Sequence, residues 1–142
     1  MASMGCVFCA IVAGEIPASR VLDDDVAVGF LDARPLFPGH VLLVPREHVE
    51  TLPDLPAADL GAFFERAQRL SVAVRDAMDA QGTFVALNNV VSQSVPHLHV
   101  HVVPRRRKDG LRGFFWPRTK YADDAERDAV AARIRAALDG GA

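Results

Sequence analysis

The segment His97-Leu98-His99-Val100-His101-Val102-Val103 alternates imidazole and aliphatic side chains. Successive side chains of a β-strand point to opposite faces, so this alternation predicts a strand with three histidines on one face. The aliphatic side chains are then expected to pack into the core from the other face. Valine or threonine would suit a strand better than histidine, which indicates that the imidazoles carry chemistry.

Two further histidines, His40 and His48, flank an apolar run at 40–44 that predicts a central strand. The alternating imidazoles could hold a metal ion that activates water. Alternatively, one neutral imidazole could attack an electrophile while its neighbours orient it and protonate the leaving group. Neutral donors just upstream favour this second chemistry, because hydroxyl and amide groups suit phosphate oxygens. These donors are Asn88, Asn89, Ser92, Gln93 and Ser94.

The rest of the chain predicts an α+β fold with a mainly antiparallel sheet, because short turns join the strands and the helices are segregated. Short apolar runs predict strands at 20–22, 26–31, 40–44, 83–87 and 97–103. Apolar residues recur at helical spacing from Pro56 to Ala77, which predicts one long helix. The pattern Asp123-x-x-Glu126 predicts the start of a C-terminal helix that ends at Gly140.

The length of 142 residues predicts a single domain spanning 1–142. The formal net charge of −2 excludes the global basic field that would hold a nucleic acid polymer. No apolar run reaches the ~18–20 residues of a membrane span, so no membrane partner is expected. The N-terminus lacks the features of a signal peptide, and we therefore expect a cytoplasmic protein.

The order of these segments resembles the histidine triad (HIT) family of nucleotide hydrolases and transferases. The triad pattern is complete at 97–103, the segment 6–18 is similar to the family's N-terminus, and 38–48 is similar to its central strand. The resemblance is strongest over 5–105, with a C-terminal extension at 106–142. It implies a five-stranded, mainly antiparallel sheet with one long helix, and a homodimer that joins two such sheets.

The resemblance also implies a reaction on a purine nucleotide. The middle histidine, His99, would attack the α-phosphorus of a nucleoside phosphoramidate, an acyl adenylate or a dinucleoside polyphosphate, and water would resolve the nucleotidyl-histidine. A zinc-dependent hydrolase that uses all three histidines as ligands, and a nucleotide-binding scaffold, are the alternatives.

Individual roles follow from the same resemblance. His101 would support the attack, His40 would join the hydrogen-bond network of the site, and Ser94 and Gln93 would donate to the α-phosphate or the bridging atom. The expected substrate-binding residues are Phe30, Leu31, Asp32, Asn88 and Asn89, with Asp32 accepting the ribose hydroxyls. Members usually carry glycines before the glutamine, whereas 88–92 contains none. The backbone beside the phosphate is therefore expected to differ here.

The second motif is the pair Cys6 and Cys9 in a C-x-x-C spacing. The spacing alone leaves a zinc site, a redox pair and buried thiols open. Zinc-bearing bacterial members of the family supply two histidines in addition, at positions matching His48 and His97. The resemblance therefore implies a structural Zn²⁺ held by two cysteines and two histidines.

Overall fold

The computed structural model describes residues 5–111 and 118–140. Its helices and strands follow the predicted order, with ends that differ by a few residues. The elements are α1 (Val7–Val12), β1 (Arg20–Asp23), β2 (Ala27–Leu31), β3 (Val41–Pro45), a 3₁₀ turn (Leu52–Asp54), α2 (Ala57–Ala77), β4 (Gly82–Ala86), β5 (Val100–Arg105) and α3 (Asp124–Gly140).

The five strands form one sheet in the order β1-β2-β3-β5-β4, and every neighbouring pair is antiparallel. The predicted α+β class is therefore confirmed. Strand β5 lies between β3 and β4, so the histidine segment runs into the interior of the sheet. In this register His101 faces Leu42 of β3 on one side and Ala86 of β4 on the other.

The two faces of the sheet carry separate apolar clusters. On one face, Phe63, Ala67, Leu70 and Val74 of α2 pack against strand residues such as Val100. Their spacing of three or four residues places them on a single side of the helix, as the sequence predicts. On the other face, the short helix α1 packs against β2 and β3. This second cluster contains Phe8, Ile11, Val28, Phe30, Leu42 and Val44.

The histidine strand begins later than predicted, at Val100 instead of His97. The reason is the neighbouring strand, which ends at Pro45, a residue with no N–H to donate to a ladder. The backbone N–H of Leu98 instead donates to the carbonyl of Val49, at 2.7 Å. The predicted alternation of faces still holds, because Leu98 lies in the cluster with α2 whereas the ring of His99 contacts α1.

The chain divides into two compact units, the first ending at Asp109 and the second beginning at Gly110. In the second unit, the N–H of Glu126 donates to Asp123 Oδ1 at 2.8 Å, as the predicted capping pattern requires. Helix α3 has no buried residue in the described part of the chain. Across residues 5–111 and 118–140, no helix combines the length and apolar character that a bilayer crossing needs.

Candidate active site and metal centre

The four predicted metal ligands come together from three separate segments. Cys6 caps α1 and Cys9 lies one turn later, so both thiols face the same side of the helix. His48 follows β3 and His97 precedes β5. His97 Nδ1 lies 3.4 Å from Cys6 Sγ and 3.5 Å from Cys9 Sγ, and His48 Nδ1 lies 3.2 Å from both Cys9 Sγ and His97 Nδ1.

This donor set fits zinc. In a tetrahedral site, Zn–S bonds of about 2.3 Å and Zn–N bonds of about 2.0–2.1 Å place neighbouring ligand atoms roughly 3.3–3.8 Å apart. His97 Nε2 donates to the carbonyl oxygen of Pro45 at 3.1 Å, which leaves the lone pair of Nδ1 directed at the thiols. Burial is the main cause that lowers the pKa of His97 to about 4, so the imidazole is in the neutral form that binds metal.

His99 has a hydrogen bond that determines its tautomer. Its Nδ1 lies 2.7 Å from the backbone carbonyl of His97, and a carbonyl oxygen can only accept. Nδ1 therefore carries a proton, and in the neutral tautomer the lone pair is on Nε2. The side chain is buried, with 4% of its surface exposed, yet it lines a cleft. The structure thus presents an imidazole whose Nε2 is the nitrogen left to meet an electrophile.

His40 and His101 form a second directed chain of hydrogen bonds. The N–H of Leu36 donates to His40 Nδ1 at 3.1 Å, so the His40 proton is on Nε2, 2.9 Å from His101 Nδ1. His101 Nδ1 therefore accepts, and its Nε2–H is left as a donor. Burial lowers the pKa of His40 and lowers that of His101 to about 4, although the nearby Asp32 carboxylate opposes both shifts.

The three triad histidines face different partners. His97 is turned toward the cysteines, whereas His101 bonds to His40 and lies in a group with Asp32. In the part of the chain that the structure describes, no potential metal cluster contains all three. The geometry therefore gives no support to a zinc ion held by the triad alone.

A cleft of about 670 Å³ connects the imidazoles with α1. It is lined by six of the predicted site residues: Phe30, Leu31, Asp32, Ser94, His99 and His101. Sequence reasoning missed its apolar wall, to which Phe8 and Ile11 of α1 and Ile16 contribute. The helical spacing of Phe8 and Ile11 could have identified this wall, because residues three apart share one face of a helix.

Gln93 lies outside the lining of this cleft, although the sequence predicts that it donates to substrate. Its Oε1 accepts from the N–H of Val90 at 3.0 Å, and its Nε2 donates to the carbonyl of Glu50. Both ends of the amide are thus engaged in holding the loop that precedes His97. The contact of Gln93 with substrate stays a prediction.

The two asparagines also support this loop. The N–H of Leu52 donates to Asn89 Oδ1 at 2.9 Å, and Asn88 Nδ2 donates to the carbonyl of Ser92 at 3.3 Å. Val90 and Ser92 have positive φ angles of 70° and 63°, a conformation that glycine would adopt without strain. The loop therefore makes its turn without glycine and uses side-chain amides to hold it.

The titration of His101 predicts a pH-dependent stability. Its pKa is about 4 in the folded chain and 6.5 in the unfolded chain, so the unfolded chain binds more protons between these values. The stabilisation is complete above pH 6.5 and decreases as the pH falls toward 4. We expect the midpoint of thermal unfolding to fall over this range. In His101→Asn the decrease should be smaller, and an unchanged pH profile in that variant would contradict the assignment.

Comparison with known proteins finds similar sequences over most of the chain. A sequence model described as the HIT domain matches residues 13–108. An uncharacterised HIT-like protein of Mycobacterium tuberculosis is 38% identical over 140 residues, which cover 95% of this chain and 94% of the relative. An adenosine 5'-monophosphoramidase of Saccharomyces cerevisiae is 33% identical over 107 residues, covering 75% and 66% respectively.

One solved structure with a similar fold contains zinc. The crystal structure of a Zn-bound histidine triad family protein from Mycobacterium smegmatis aligns with a TM-score of 0.72 and 37% identity. The alignment covers 94% of this chain and 98% of that protein.

Proposed function

Because this chain belongs to the HIT domain family, we propose that it is a nucleotide hydrolase or nucleotidyl transferase in which His99 attacks the α-phosphorus. One observation carries the proposal. The hydrogen bond from His99 Nδ1 to the His97 carbonyl, at 2.7 Å, leaves the Nε2 lone pair free on a residue that lines the cleft. The substrates are nucleoside phosphoramidates, acyl adenylates or dinucleoside polyphosphates.

The cleft has the two kinds of surface that a purine nucleoside monophosphate needs. Phe8, Ile11 and Phe30 offer an apolar wall to the base, and Asp32 offers a carboxylate to the ribose hydroxyls. Ser94 and His101 line the same cleft and can donate to phosphate oxygens. The name of the yeast relative, an adenosine 5'-monophosphoramidase, supports adenosine as the nucleoside.

The reaction then proceeds in two displacements. The Nε2 lone pair of His99 forms a bond to the α-phosphorus as the bond to the leaving group breaks. The His97 carbonyl stabilises the positive charge that develops on the ring, because it accepts from Nδ1. The Nε2–H of His101 donates to the departing group or to the phosphate. A water molecule, or another acceptor in a transferase reaction, then attacks the phosphorus and releases His99.

The cysteine–histidine centre has a separate role in this proposal. With four protein ligands a zinc ion has no open coordination position, so Cys6, Cys9, His48 and His97 would hold a structural ion. These four residues would then tie α1 to the segments that follow β3 and precede β5. The homodimer, which the family resemblance implies, and the cytoplasmic location expected from the sequence are also part of the proposal.

The covalent intermediate gives the direct test. Adenosine phosphoramidate is mixed with the protein, the reaction is quenched within milliseconds, and intact and peptide masses are measured. We expect one added adenylyl group on the peptide that contains His99. Turnover without any labelled peptide, or a label on another residue, would contradict the proposal. An exposed-surface variant such as Arg69→Ala serves as a control and is expected to give the same label as the parent protein.

A further inference from the structure

The short helix α1 belongs to two sites at once. Cys6 at its N-cap and Cys9 in its first turn are part of the metal centre, whereas Phe8 and Ile11 form part of the cleft wall. A helix of six residues has little stability of its own, because nucleation costs more than so few hydrogen bonds return. Its position therefore depends on what its side chains bind, and the metal centre holds it at two points.

Phe8 lies between the two cysteines and contacts the rings of both sites. Its ring is edge-on to that of His99, with centroids 5.0 Å apart and planes at 80°. It also packs edge-on against His97, at 6.0 Å and 72°, and against Phe30, at 5.5 Å and 67°. With only 7% of its surface exposed, Phe8 is enclosed by these rings. It is thus a single side chain in contact with a metal ligand and with the proposed nucleophile.

The hydrogen bond of His99 does not by itself fix the tilt of the imidazole ring. The bond from Nδ1 to the His97 carbonyl sets the tautomer, but a ring attached at Cγ and hydrogen-bonded at Nδ1 can still tilt through small changes of its side-chain torsions. A tilt would move Nε2 away from the line of attack, and small displacements of this kind reduce catalysis strongly. The edge-on contact with Phe8 opposes the tilt, since aromatic pairs prefer this arrangement over others.

We propose that Phe8 is a positioning residue: its ring holds the plane of the His99 ring. Phe8 lies on α1, which the cysteines and histidines of the metal centre anchor. The role in turnover rests on the proposed function, because it requires His99 to be the nucleophile. The effect on the ring itself does not, and it can be measured in protein without substrate.

The test compares Phe8→Leu with two other variants. Phe8→Leu removes the ring but keeps an apolar side chain, and Phe8→Tyr keeps the ring. Val12→Ala removes an apolar contact from the same helix, at a residue that packs against the same apolar cluster but lies outside the cleft lining. Metal content and circular dichroism establish that each variant is folded and loaded.

Two readouts are used. The first is the nuclear magnetic resonance signal of the His99 Nδ1–H in substrate-free protein, and the second is kcat with adenosine phosphoramidate. In Phe8→Leu we expect the signal to shift and exchange faster, and kcat to fall about twofold to tenfold, the size of an aromatic contact. Phe8→Tyr keeps the ring and should therefore keep the parent His99 signal. Val12→Ala should leave both readouts unchanged.

Some outcomes would overturn the proposal. An unchanged His99 signal in Phe8→Leu would show that Phe8 does not hold the ring. Loss of metal from Phe8→Leu, or the same changes in Val12→Ala, would show a general structural role instead of a positioning one. A shifted signal with unchanged kcat would contradict only the role in turnover, and labelling of His99 by the adenylyl group tests that function separately.

Discussion

Replacing His99 with alanine is expected to reduce turnover of adenosine phosphoramidate by roughly 10³–10⁶-fold, the range found when a nucleophile is removed. The substitution removes the only atom that the proposal brings into contact with phosphorus. The apolar wall and Asp32 remain, so the affinity for AMP should change little. The measurements are kcat by a continuous assay and the dissociation constant of AMP by calorimetry.

The His99→Gly variant gives a second test of nucleophilic catalysis by His99. It leaves a cavity of the size of the lost ring beside the cleft, and free imidazole added to the buffer can enter it. We expect added imidazole to restore part of the activity in His99→Gly and none in the parent protein. Activity near the parent level in either variant, without imidazole, would contradict nucleophilic catalysis by His99. The control Arg69→Ala changes an exposed residue of α2 and should match the parent.

Removal of the zinc ion proposed for the cysteine–histidine centre is expected to have the largest effect on the stability of the protein. An ion that binds only the folded chain stabilises it by about 4 kcal/mol when its free concentration is a thousand times its dissociation constant. For a domain of this size that corresponds to roughly 10–20 °C in Tm. We therefore expect a chelator to lower the Tm by this amount and added Zn²⁺ to restore it. Differential scanning calorimetry with parallel metal analysis measures both.

The variant Cys9→Ala provides the matched control for this experiment. Its Tm should already be low and should not respond to the chelator, because one of the four ligands is missing. A parent protein that loses its metal with an unchanged Tm would contradict the structural role. Loss of turnover with an unchanged Tm would indicate a catalytic metal. Two thiols that form a disulfide on purification, with no bound metal, would favour the redox pair that the C-x-x-C spacing also allows.

Much of the fold follows from periodicity, which is a local property. The spacing of apolar residues in α2 predicts which side chains share a face of the helix. The alternation at Leu98, His99 and Val100 does the same for the strand, and neither prediction depends on the rest of the chain. The start of β5 could not be found in this way. It depends on where the partner strand ends, and Pro45 ends it in a segment more than fifty residues earlier in the chain.

The loop before His97 shows a second limit. The sequence places amides and hydroxyls there, and these groups can form hydrogen bonds with phosphate oxygens and with backbone groups equally well. In the folded chain the side chains of Gln93 and Asn89 bond to backbone groups of the loop and of residues 50–52. The choice between these partners depends on where the segment after β3 lies, which no local pattern specifies.

By itself the sequence determined the types and the spacing of the chemical groups: three alternating imidazoles, two thiols one helical turn apart, and the strands and helices that carry them. The tertiary structure decided which of them meet and in which protonation state. It brings His97 to cysteines 88 and 91 residues away and His40 to His101 across 61 residues. The physical reason is that an imidazole takes its tautomer from the donor or acceptor it faces, and here those groups are the backbone of Pro45, His97 and Leu36.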